Sequence, residues 1–204
     1  MRLVLISDTH GQHRKLSMPD GDILIHAGDF TDFGSERHFL DFNNWLGGLD
    51  YKHKIVVAGN HETLLDRRPE RAKELTNCVY LQDSSVEVEG LKIHGSPWNT
   101  KLEGFGFYTP FPEMEKKLKL VPNDIDILIT HVPPLGILDC GIWGDQLGCS
   151  KILDRIINVK PKLHVFGHVH SAYGITQTKQ TTFVNASCLG AGDEIESKSF
   201  VVDL

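Results

Sequence analysis

Short apolar runs rich in β-branched residues recur along the chain, each broken by a polar or glycine-containing segment. Leu3 to Ile6, Ile23 to Ala27, Lys54 to Ala58, Val86 to Val88, Leu91 to His94, Ile125 to Thr130 and Leu163 to Phe166 each predict a buried strand. Between them the period lengthens. Cys149, Ile152, Leu153, Ile156 and Ile157 fall at i, i+3, i+4, i+7 and i+8, the stripe of an amphipathic helix that ends before Pro161. A second helix is predicted to start behind Ser35, to bury Phe39, Leu40, Phe42, Trp45 and Leu46, and to stop at Gly47-Gly48. From Tyr173 onward, Thr181 to Val184 and Phe200 to Val202 predict hairpin strands, so the class is α/β with a sizeable antiparallel part. No low-complexity tract, repeat or linker divides the chain, and one domain over residues 1–204 is expected.

At 204 residues, 40% of them hydrophobic, the chain buries roughly 70% of its unfolded surface, which is enough for a core without disulfides or structural metal. Any metal is therefore expected to be functional. The opening run Met1 to Ile6 breaks at Ser7-Asp8, too short for the apolar part of a secretion signal, and no later stretch would span a bilayer. The four cysteines, Cys78, Cys140, Cys149 and Cys188, form no CxxC pair and predict reduced thiols in a cytoplasmic protein. With 27 acidic against 21 basic side chains the net charge is −6, the wrong sign for gripping long nucleic acid, and the basic clusters Arg67-Arg68-Arg71-Lys73 and Lys116-Lys117-Lys119 read as solvated faces. Small anionic substrates stay open, because bound cations would invert the local field.

Five predicted strands run into a polar motif at their carboxyl ends, where α/β folds place ligands. These are Asp8-Thr9-His10, Gly28-Asp29, Gly59-Asn60-His61-Glu62, Thr130-His131 and Gly167-His168-Val169-His170. A single Asp after a strand is usually a turn residue, and a single His is usually a surface group. Turn chemistry does not supply Asp, His and Asn as a set on successive strands.

The order DxH, GD, GNHE, H, GHxH resembles the calcineurin-like metallophosphoesterases over Asp8 to His170. The runs Gly95-Ser96-Pro97-Trp98 and Thr130 to Asp139 are similar to the metallophosphoesterase-domain-containing branch first described from brain. The resemblance implies a four-layer αββα sandwich, two mixed β-sheets flanked by helices, with two divalent ions at the carboxyl edge of the sheets. It implies Asp8, His10, Asp29 and His170 on one ion and Asp29, Asn60, His131 and His168 on the other, with Asp29 bridging and His61 as general acid. Such a pair, about 3.5 to 4 Å apart, clamps the attacking and leaving oxygens of an in-line displacement at phosphorus by metal-bound hydroxide. Two dications less the charges of Asp8 and Asp29 leave a surplus that matches a hydroxide plus a diester monoanion. Mixed O/N ligation suits Mn, Fe, Zn, Co or Ni, with Mn the first choice in vitro.

Glu62 has two readings, a group that orients a neighbour or a first-turn carboxylate favoured by a helix dipole. Of the other histidines, His26, His38, His53 and His164 are expected on the surface or in the core, whereas His13 and His94, together with Trp98, are candidate substrate contacts. Trp98, Phe105, Phe107 and Tyr108 would form a patch able to stack on a base or simply pack. Phe33 stands where the resemblance to protein serine/threonine phosphatases would put an arginine gripping a phosphate dianion, which disfavours a protein phosphomonoester. The expected activity is hydrolysis of a small phosphodiester or nucleotide, cyclic nucleotides included. The alternatives are a small-substrate phosphomonoesterase and a weakly active nucleotide-binding scaffold. Neither long nucleic acid nor membrane is an expected partner, and Phe105, Phe107 and Phe111 would be compatible with a homodimer.

Overall fold

Alternate residues of the same strand feed different cores, which is why the apolar runs are continuous. In the computed structural model, which describes residues 1–204, the elements in chain order are β1 (Arg2–Ile6), β2 (Ile23–His26), α1 (Glu36–Gly47), β3 (His53–Val57), α2 (Thr63–Arg67), β4 (Val79–Leu81), β5 (Ser84–Val88), β6 (Leu91–Ser96), α3 (Phe111–Leu118), β7 (Ile127–Thr130), α4 (Ser150–Val159), β8 (Leu163–Phe166), β9 (Gly174–Gln177), β10 (Thr182–Asn185) and β11 (Phe200–Asp203). They form a sheet of order β11-β1-β2-β3-β4 and a second of order β5-β6-β7-β8-β10-β9. Leu3, Leu5, Ile23, Ile25, Ile55 and Val57 of the first sheet pack against Ile93, Ile127, Ile129, Leu163 and Val165 of the second. Their intervening neighbours Val4, Ile6, Leu24 and Val56 face outward onto Phe39, Phe42, Trp45 and Leu46 of α1. On the far side Leu128, Phe166 and Phe183 meet Met114 and Leu118 of α3 and Ile152, Ile156 and Val159 of α4. The result is a four-layer α/β sandwich.

Strands β1 to β4 run parallel, as do β6, β7, β8 and β10, while β11, β5 and β9 are antiparallel to their neighbours. In-register pairs such as Leu3 with Ile23 and Ile25 with Ile55 keep one face of the first sheet wholly apolar. Parallel pairing sends the carboxyl ends of β1, β2 and β3 to one edge and those of β7 and β8 to the matching edge of the other sheet. There a bridge between Ser7 and Ser187 and a bond from the Gly167 amide to the His131 carbonyl knit the loops together.

The predicted stripes are wider than the real ones. Leu40 is 48% exposed and Ile157 59%, because each sits about 100° around the helix from a buried neighbour, Phe39 or Ile156. Cys149 is buried but caps α4 rather than lying within it. The last strand does not hairpin with β10. It crosses to the other sheet and pairs with β1, Leu5 opposite Phe200. No helix is long and apolar enough to cross a membrane.

Lys160, just past α4, closes the helix with its amide on the Ile156 carbonyl at 2.8 Å while adopting φ 54° and ψ 55°. A side chain is disfavoured in that left-handed conformation. Lys160→Gly is expected to raise stability by about 0.5–1 kcal/mol, read as a higher urea midpoint at unchanged slope.

Candidate metal centre

Four residues of the polar motifs, Asp8, His10, Asp29 and His168, hold positive φ of 51°, 41°, 56° and 69°. Each conformation is strained for a residue with a Cβ, and such strain persists where surrounding contacts over-determine it. The glycines of the motifs are fixed by the side chains they leave room for. A Cβ on Gly28 would lie 2.5 Å from His131 Nδ1, one on Gly59 2.3 Å from Asp29 Oδ1, and one on Gly167 2.0 Å from Asp8 Oδ2.

Two compact groups result, Asp8 with His10 and His170, and Asp29 with His131 and His168. His170 Nε2 is 3.5 Å from Asp8 Oδ1, and His131 Nε2 is 3.2 Å from Asp29 Oδ2 and 3.0 Å from Asn60 Oδ1. His10 Nε2 lies 3.6 Å from the same Asp29 Oδ2, so one carboxylate oxygen faces both groups. His131 donates its Nδ1 proton to the Ala27 carbonyl at 2.9 Å, which turns Nε2 toward Asp29 and Asn60. The buried His10 Nε2 has no hydrogen-bond partner at all. A buried ring nitrogen without a partner beside two carboxylates is a donor set short of a cation, and these residues fit a pair of divalent ions.

The electrostatics point the same way. Burial alone would raise Asp8 and Asp29, yet His170 and His131 hold both carboxyls well below the usual carboxylate range. Burial would likewise lower His131, but Asp29 and Asp8 push it up to about 10. His168, facing the same field from a position where burial dominates, is pulled down to about 4. Positive charge is favoured around the carboxylates, and the two carboxyls shift His131 and His170 upward accordingly.

Glu62 resolves in favour of an orienting role. It precedes α2 without making a side-chain cap, and its carboxylate instead accepts the amides of Asp29, Thr31 and Gly59 at 2.8, 2.8 and 2.6 Å and the Thr31 hydroxyl at 2.9 Å. It thereby straps the Asp29 loop to the Asn60 loop. Burial and the nearby Asp29 charge push it up to about 8, against the amides that favour its ionised form. His61 gives its amide to Asp29 Oδ1 at 2.8 Å, and its ring lies 4.3 Å from His10, edge to face. Its Nδ1 is 3.5 Å from Asp32, an acid outside the motifs that groups with His10 and His61. His26 is outside them too. It receives the Gly28 amide on Nδ1 and shares a 3.0 Å bond from Nε2 with Thr9 Oγ1, tying the Asp8 loop to the Asp29 loop. Neither residue carries a sequence signal beyond proximity to a motif.

The candidate substrate contacts go elsewhere. His13 is fully buried with Nε2 on Asp41 at 3.0 Å and its ring against Phe42 and Trp45. His94 is buried on Ser85 Oγ at 2.8 Å. Trp98 donates to Asp83, carries Lys117 over its ring at 3.8 Å and packs on Phe107, itself 1% exposed. None of these bonds or ring contacts leads to the two groups. The phenylalanine rings found beside His61 are Phe33 and Phe105, at 4.4 and 5.7 Å from it.

Two substitutions separate Asp29 from its surroundings. Asp29→Asn is expected to lose both ions, whereas Gly59→Ala, whose Cβ intrudes on Asp29 and His131, is expected to bind about one ion in place of about two. Elemental analysis after dialysis, with circular dichroism to confirm folding, distinguishes them.

Comparison with known proteins agrees with this geometry. A family model described as calcineurin-like phosphoesterase matches residues 1–172. Human metallophosphoesterase domain-containing protein 1 is 42% identical over 233 residues, covering 100% of this chain and 71% of the relative. A 3′,5′-cyclic-nucleotide phosphodiesterase of Nostoc is 23% identical over 168 residues, 76% of this chain and 58% of that protein. A crystal structure from Thermus thermophilus shares the fold with a TM-score of 0.69 at 15% identity, over 90% of this chain and 88% of that one. With the family's motifs clustered at one edge of a four-layer sandwich and the match extending over most of its length, this chain belongs to the calcineurin-like phosphoesterases.

Proposed function

We propose that the protein is a metal-dependent phosphodiesterase acting on small phosphodiesters, cyclic nucleotides among them. The observation that carries the reading is Asp29 Oδ2 facing both His10 and His131, with His61 alongside. Asp8, His10, Asp29 and His170 would hold one divalent ion, and Asp29, Asn60, His131 and His168 the other; Mn is the first choice, with Fe, Zn, Co and Ni as alternatives. Such a pair supplies Lewis acidity toward the phosphoryl oxygens and a nucleophile at neutral pH.

The chain's own residues do the rest. Hydrolysis adds water across one P–O ester bond, and the departing oxygen must gain a proton. His61 is held for that transfer by its amide on Asp29 and its ring against His10, with the side chain 16% exposed and so open to substrate. Glu62 and His26 fix the loops from behind. At position 33 a phenylalanine offers no guanidinium for the second charge of a monoester, which favours the diester monoanion. The net charge of −6 favours small substrates over long nucleic acid. The activity named for the Nostoc relative is of the same class.

Turnover of bis-p-nitrophenyl phosphate beside p-nitrophenyl phosphate, with Mn²⁺ and a chelator control, tests the reading. Chelator-sensitive preference for the diester is expected; preference for the monoester would make the protein a phosphomonoesterase, and no turnover with both ions bound would make it a scaffold. His61→Ala is expected to keep its metal while kcat falls by ~10² or more, and loss of metal in that variant would remove His61 from the proton-transfer role.

A further inference from the structure

We infer that Phe33 and Phe105 form the recognition wall for a planar aromatic ring carried on the leaving group of the phosphodiester; the inference rests on the phosphodiesterase reading and gives it a substrate class. His61 lies between two sets of rings. His10 is on one side at 4.3 Å, and on the other are Phe33 at 4.4 Å and Phe105 at 5.7 Å, themselves 5.6 Å apart. A leaving group that takes its proton from His61 therefore meets these two rings. The rings meet at tilted angles of 43°, 51° and 42° and not in flat stacks, and with Phe33 61% exposed part of its surface stays open to a planar guest.

Folding does not account for Phe33. Its side chain is 61% exposed and its φ is +44°, so an apolar ring faces water on a strained backbone. The position is nevertheless fixed. The Thr63 hydroxyl donates to the Phe33 carbonyl at 3.1 Å, and a Cβ on the following Gly34 would strike the same hydroxyl at 2.2 Å. Phe105 is equally anchored, since the adjacent Gly106 amide donates to the carbonyl of Asn60 at 2.8 Å and its own carbonyl accepts from Asn99 Nδ2 at 3.0 Å. Both rings are thus mounted on the backbone that carries Asn60 and His61. No cation stacks on either ring, and the exposed Asp32 lies beside them, so an uncharged aromatic group suits the wall and a leaving group bearing a further phosphate does not.

Phenylphosphonate and methylphosphonate share the metal-seeking anion and differ only in the ring, and neither is hydrolysed. Calorimetric titration of the Mn²⁺-loaded protein is expected to show phenylphosphonate binding about tenfold more tightly, the size of one aromatic stack. In the double variant Phe33→Ala, Phe105→Ala that ratio is expected to fall to about one, with methylphosphonate affinity held. The single variant Phe33→Ala, which removes an exposed ring, provides the reading if the double variant does not fold, and Phe33→Trp is expected to restore the ratio. No phenyl advantage in the parent protein, an advantage untouched by the alanines, or equal weakening of both phosphonates would overturn the inference. So would size-exclusion data showing a dimer that Phe33→Ala dissociates, which would assign the rings to a second copy. If the parent turns over diesters while the ratio fails, the wall alone is wrong; if it neither turns them over nor binds either phosphonate, the phosphodiesterase reading fails and the wall with it.

Discussion

Two carboxylates held ionised inside the protein constrain everything around them. Asp8 and Asp29 are 0% and 2% exposed, and a buried carboxylate without compensation would take up a proton. Compensation comes from every neighbouring element. The His168 amide donates to both oxygens of Asp8, the His61 amide donates to Asp29, and imidazoles from the loops after β7, β8 and β1 surround the pair. The left-handed backbone at Asp8, His10, Asp29 and His168 is what aims these groups inward, and the glycines are what let them approach. Strain, steric demand and charge thus answer one requirement, that two buried carboxylates remain anionic where water is scarce.

Behind that centre lie groups whose hydrogen bonds go to the loops that carry it. Glu62 gathers three amides from two loops, and His26 links one of these, the Asp29 loop, to the Asp8 loop through a hydrogen bond at each ring nitrogen. Burial depresses His26 to about 3, so it stays neutral and can accept an amide on one face while donating on the other. His164 is the counterpart in the second sheet, sharing a bond with Thr130 immediately before His131. Of the eleven histidines, some face the centre, His26 and His164 act as struts behind it, and others, among them His13, His53 and His94, pair with Asp41, Glu89 and Ser85 elsewhere.

Much of this was legible in the sequence because parallel strands buried on both faces write continuous apolar runs, and because each motif follows its strand directly. Asp8, His10 and His170 meet in one group and Asp29, His131 and His168 in another, with Asn60 on His131. What did not transfer was orientation. His13 and Trp98 are adjacent to motifs or on plausible loops, yet tertiary packing directs them to Asp41 and Asp83. Phe107 lies two residues from Phe105 and faces the core, a difference set by a left-handed turn at φ 52° that no periodicity records. Strand β4, three residues long with only Leu81 buried, and helix α3, with only Met114 and Leu118 buried, left too few apolar positions to register as a pattern.

The amide of His168 reaches back 160 residues to Asp8, so the first loop and one of the last meet at a single point. Closing so long a chain segment is entropically unfavourable and slow. An ion held jointly by residues from both ends of that span would bind the native chain and not the unfolded one. The centre would then act as a clasp on the fold, its strength rising with free ion by about 1.4 kcal/mol for each tenfold in concentration above the dissociation constant. Availability of metal would thereby set the lifetime of the folded chain as well as its chemistry.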